Sequence, residues 1–125
     1  MVDDVGAPWS PDVPSLAYSC SKTFTSAAVG IAVNRGAFGY DDTLADLWPQ
    51  ACTANTGPVA KSMTVRNALS MSTGHSPEQL LEPTLMSRRL PDLNTARILL
   101  ATEPEGRPGI DFAYNNCLLY TSPSP

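Results

Sequence analysis

The segment from Ser19 to Gly36 limits the fold more than any other part of this chain. It opens on Ser and Thr, runs through Phe24, Ala27, Ala28, Val29, Ile31, Ala32 and Val33, and stops at Asn34-Arg35-Gly36. The pattern predicts a helix, with Gly36 as the residue just past its end, where a left-handed conformation costs glycine nothing. The apolar residues fall on nearly every face, so the helix is expected to be buried all round and to need other elements to cover it. Gly30 fits such close packing, at a propensity cost of about 1 kcal/mol. Lys22, at the head of this apolar run, is an odd place for a charge without a task.

The rest of the chain reads as shorter elements. Residues 1–15 hold three prolines and read as a loop or a truncated edge. Residues 37–62 are expected to be mostly loop, with a short turn near Leu44 to Trp48. Thr64 is placed to cap a helix reaching about Ser72, with Val65, Ala68, Leu69 and Met71 inward and Gly74 ending it. Ser76, Pro77 and Gln79 form a capping-box start, and Pro83 breaks the helix that follows. Asp92 is expected to cap a further helix that turns Leu93, Ala96, Leu99 and Leu100 inward. A Pro/Gly loop at 103–111 precedes Phe112-Ala113-Tyr114. No internal repeat and no convincing β-alternation is present.

At 125 residues the chain is one domain or less. With 42% hydrophobic residues it has the material for a core, which argues against disorder. Net charge is −4, and the only lysines are Lys22 and Lys61, so no basic patch suggests nucleic acid. The apolar stretches are too short to span a bilayer, and the acidic first residues do not resemble a signal peptide. Location stays open: periplasmic or secreted if a leader precedes the chain, cytoplasmic otherwise. Oligomeric state is equally open. Cys20, Cys52 and Cys117 form no C-x-x-C pair and have only His75 to join them, so no metal and no cofactor is expected.

The chemistry centres on Ser19 and Lys22. Residues three apart on a helix share a face, so the amine can sit beside the hydroxyl. A serine needs a base to become a nucleophile, and a lysine in a dry, cationic setting can serve. The helix N-terminus adds partial positive charge that favours a developing oxyanion. A capped helix with one solvated lysine would also satisfy this spacing, so the motif alone is weak.

Three longer blocks make it specific. YSCSKTFTSAAVGIAVNRGAFGYDDTLADLWPQ resembles the nucleophile region of the class C β-lactamase and penicillin-binding-protein family, with Gly36, Asp41, Asp42, Leu44 and Pro49 at the matching places. MTVRNALSMSTGHS resembles that family's next helix and loop. RPGIDFAYNN resembles its "P-G-x-x-F-x-Y-[SN]-N" block, which makes Tyr114 and Asn116 the Y-x-N element. The resemblance implies an α/β (α+β) transpeptidase-like fold of which this chain holds the helical part. It implies a serine hydrolase working through an acyl-enzyme on a small ester or amide substrate, with β-lactams and D-amino-acid peptides among the options. Ser19 would attack, Lys22 and Tyr114 would share the proton traffic, and Asn116 would bind substrate or orient Lys22. The alternatives are an inactive binding relative of the same fold and an inert fragment.

Two lookalikes are set aside. Ser72-Thr73-Gly74 resembles the family's [KH]-[TS]-G motif, but it lies before Tyr114 and has Met71 where a cation belongs. His75 invites a Ser-His-Asp reading, but no G-x-S-x-G elbow accompanies it, and it reads as an exposed loop residue. The family's sheet strands need more than the 18 residues before Ser19, and its [KH]-[TS]-G strand follows Tyr114, so truncation at both ends is expected. The ending CLLYTSPSP back-translates to something like a transposon-based sequencing adapter, which would make 117–125 a non-native tail. The expected division is thus 1–15, a truncated loop; 16–116, the nucleophile helix and helical subdomain; and 117–125, the tail.

Overall fold

A computed structural model describes residues 10, 12, 14, 17–81 and 94–115. A 3-10 turn, Tyr18–Cys20, leads into helix α1, Ser21–Asn34. Arg35 ends α1, and Gly36 follows at φ 72°, as the Asn-Arg-Gly stop predicts. Three short helices come next: α2 at Leu44–Leu47, a 3-10 turn at Pro49–Ala51 and α3 at Pro58–Ser62. Helix α4 spans Val65–Leu69, α5 starts at 77 and is described to 81, and α6 spans Thr95–Ala101. Among the described residues the only β feature is an antiparallel bridge between Thr43 and Thr64. The described residues are mostly helical, as expected.

Local chemistry accounts for the helix starts. Thr64 accepts from the Asn67 amide N–H while Asn67 Oδ1 accepts from Thr64 N–H, a reciprocal capping box. Ser76 and Gln79 make the box read from the sequence: Ser76 N–H donates to Gln79 Oε1 at 3.0 Å, and Gln79 N–H donates to Ser76 Oγ at 3.3 Å. The cap of α6 is Asn94, whose Oδ1 accepts from Ala96 N–H at 2.8 Å. This replaces the expected Asp92. Asn94 wins because its side chain stands one residue before the first helical residue, where it reaches the open N–H groups. Asp92 and Leu93 lie outside the described residues, as do Pro83 and the proposed tail.

The 37–62 region is more ordered than a loop. α3 begins on Pro58, and the carboxylate of Glu103 accepts from the Val59 and Ala60 N–H groups, each at 3.0 Å. This cap arrives from 43 and 44 residues away, so no local pattern announces it. Met63, Leu80, Leu99 and Leu100 are fully enclosed, with Leu44, Ala60, Val65 and Ala96 around them. The core therefore lies among α2, α3, α4, α5 and α6.

Helix α1 departs from expectation. None of its residues is buried, and Phe24 and Ile31 are 76% and 55% exposed. Only Val29 packs against the core cluster, with Gly30 facing Tyr40. Burial all round requires a layer on each side, and the described residues supply one side only.

Candidate active site

Residue 18, just before Ser19, adopts φ 44°, a left-handed conformation that costs a non-glycine residue about 1–2 kcal/mol. Here the chain turns into the helix, and the Ser21 hydroxyl donates to the Tyr18 carbonyl at 2.6 Å across the turn. Ser19 thereby stands in the 3-10 turn at the head of α1, with Lys22 one helical turn on.

Tyr114 comes from the far end of the chain. Its segment is held by the loop after α4: Ala113 N–H donates to the Met71 carbonyl at 3.0 Å, Gly109 N–H to Ser72 at 2.7 Å and Gly106 N–H to Gly74 at 2.9 Å. Gly74 and Gly106 approach so closely that a Cβ on Gly74 would sit 2.6 Å from the Gly106 carbonyl oxygen. Gly74 also needs its φ of 82°, and Met71 adopts φ 56° in the same loop. The sequence assigned 72–74 to a loop, and its work is to carry the Tyr114 segment.

The three side chains meet. Ser19 Oγ and Tyr114 Oη are 2.8 Å apart, a good O–H···O hydrogen bond. Lys22 Nζ lies 3.4 Å from Ser19 Oγ and 5.4 Å from the Tyr114 ring centroid, within cation–π range. The hydrogen bond with Ser19, and after it that with Lys22 and its charge, holds the Tyr114 hydroxyl below its ordinary value of 10.0. This favours the phenolate, the form able to take a proton from serine. Tyr114 is 47% exposed and Ser19 is exposed too, so the triad opens to solvent.

Asn116 lies outside the described residues; its neighbour Asn115 is buried beside Tyr114. Sequence reasoning passed over Asn115 because the motif points to the next residue. It also missed the strained Tyr18, since a large aromatic gives no hint of positive φ. His75 corrects another expectation. It is 1% exposed rather than solvated, because its ring plugs the space between the 71–75 loop and the end of α6. Both ring nitrogens are engaged there, with Thr73 and the Thr102 carbonyl, which leaves no triad role towards Ser19.

In a comparison against known families, the family model described as Beta-lactamase matches residues 2–119. The chain belongs to the Beta-lactamase family. Membership implies the transpeptidase-like fold and places the chain in a hydrolase family that acts on small molecules. No curated protein and no solved structure matches. No helix of the described residues is long and apolar enough to cross a membrane.

Proposed function

We propose that this Beta-lactamase-family chain carries the nucleophilic centre of a serine hydrolase that cleaves esters or amides through an acyl-enzyme. The 2.8 Å contact between Ser19 Oγ and Tyr114 Oη carries the reading. A general base has to stand within hydrogen-bond reach, about 2.6–3.2 Å between heavy atoms, of the group whose proton it takes. Tyr114 meets that requirement, whereas Lys22 at 3.4 Å is slightly beyond it. Tyr114 is the better-placed acceptor of the Ser19 proton, and Lys22 supplies the positive charge that favours the phenolate.

Ser19 Oγ attacks the substrate carbonyl carbon as its proton passes to Tyr114 Oη. The tetrahedral oxyanion collapses, the carbon–oxygen or carbon–nitrogen bond to the leaving group breaks, and the leaving group takes the proton from Tyr114. Water then attacks the acyl carbon of acyl-Ser19 and gives a proton to Tyr114; the bond from that carbon to Ser19 Oγ breaks, Tyr114 returns the proton to Ser19 Oγ, and the acid is released. Asn116, from its place in the Y-x-N element, binds the substrate or orients Lys22. Among ester, amide, β-lactam and D-amino-acid peptide substrates, general ester or amide hydrolysis is the preferred reading.

The working enzyme is proposed to be longer than this chain. Ser19 and Tyr114 are exposed, whereas electrostatic catalysis gains its strength in a site that excludes water. The test is turnover of a panel of p-nitrophenyl esters, anilides and penicillins by the full-length protein. Hydrolysis of at least one class that disappears in Ser19→Ala is expected, with no turnover by residues 1–125 alone. Undiminished turnover in Ser19→Ala would remove Ser19 from the mechanism. A full-length protein that binds such compounds and never turns them over would favour an inactive binding relative.

A further inference from the structure

The hydrogen-bonding roles at His75 are fixed by its partners. The Thr102 carbonyl, 2.7 Å from Nε2, can only accept, so Nε2 carries the proton. Nδ1 of the neutral ring is then the acceptor, and the Thr73 hydroxyl donates to it across 3.1 Å. Thr73 and His75 are each 1% exposed, so the pair is sealed from water. One nitrogen ties the 71–75 loop to the residue ending α6, and the other braces the loop internally. The carbonyls of Met71, Ser72 and Gly74 in this loop accept the bonds that hold the 106–113 segment, next to Tyr114.

We propose that neutral His75 is a positioning residue for Tyr114, locking the 71–75 loop against Thr102 so that the loop's carbonyls hold Tyr114 on Ser19. The inference rests on the reading of Tyr114 as the base for Ser19. Protonation opens the lock. A second N–H would point at Thr73, whose hydroxyl must turn round to accept it and so give up the bond it donates to Nδ1. The ring cation would also be buried. Burial holds His75 below its ordinary 6.5, opposed by the hydrogen bond to the Thr102 carbonyl and by the charge of Glu103. The Glu103 carboxylate is itself committed to the N–H groups of Val59 and Ala60.

The sign follows from the lowered value. Above about pH 6.5 the ring is neutral whether the chain is folded or unfolded, and the lock contributes in full. As pH falls below that, the unfolded chain binds the proton first and the lock weakens.

The test is amide hydrogen exchange on residues 1–125, corrected for intrinsic rates, at Gly109 and Ala113, with Ala68 in α4 as internal control. Between pH 7.5 and 5.0, opening at Gly109 and Ala113 should rise about tenfold relative to Ala68, the cost of one buried hydrogen bond. His75→Gln, whose amide can donate to Thr102 and accept from Thr73 without titrating, should keep the protection and lose the pH step. His75→Leu should open the segment at both pH values and move the Tyr114 hydroxyl titration, followed by NMR of its ring, back towards 10. The absence of a pH step, a step of equal size at Ala68, or an unchanged step in His75→Gln would each overturn the proposal. If the lock behaves as described but Ser19 proves inert in the full-length protein, the functional reading fails and the lock stands.

Discussion

Ser19 and Lys22 meet through helix geometry, but Tyr114 reaches them across 95 residues of intervening chain. The spacing of the pair was visible in the sequence but became specific only with the resemblance blocks, and Tyr114 was legible only through its own block. Tyr114→Phe removes the acceptor while keeping the ring over Lys22. Acylation of Ser19 in the full-length protein should fall by about 10²–10⁴-fold, the usual range for a lost general base, as read from single-turnover rates. A drop of less than threefold would return the role of base to Lys22. Tyr18 makes the opposite prediction. It is 79% exposed and strained at φ 44°, so Tyr18→Gly should raise stability by about 1 kcal/mol in urea unfolding. Destabilisation would mean that its ring packs on something essential.

Helix starts were the most readable elements, because caps depend on near neighbours. Thr64 and the Ser76–Gln79 box were named from sequence and do cap their helices. The N-terminus of α3 was unreadable because its partner, Glu103, lies far along the chain. Glu103→Gln should cost about 1 kcal/mol, in the range of other lost caps. Gly57 belongs to the same device, since a Cβ there would collide with the Glu103 carboxylate. Gly57→Ala should therefore lose much the same energy, and the double variant should cost clearly less than the sum of the two. Strict additivity in urea denaturation would show that Gly57 matters for another reason. His75 was misread for a related reason: a loop histidine has no local mark of burial, and its partner Thr102 lies 27 residues on.

At the scale of the whole molecule, the helix that most constrained the sequence is the one the structure leaves least covered. The apolar pattern of α1 foresaw a helix with layers on both sides, and the core cluster covers part of one side through Val29. Phe24 and Ile31 stand out on the open side, where they invite association. Replacing both with Gln should change the stability of residues 1–125 by no more than about 0.5 kcal/mol and reduce concentration-dependent scattering. A large loss of stability would place them in the core of this chain. Ser19 as the nucleophile can be checked by covalent trapping. The full-length protein is treated with a fluorophosphonate and digested, and the modified peptide is sequenced by mass spectrometry. One adduct is expected, on Ser19, absent in Ser19→Ala and formed more slowly by orders of magnitude in Lys22→Ala. An adduct on another residue, or one that persists in Ser19→Ala, would contradict that assignment.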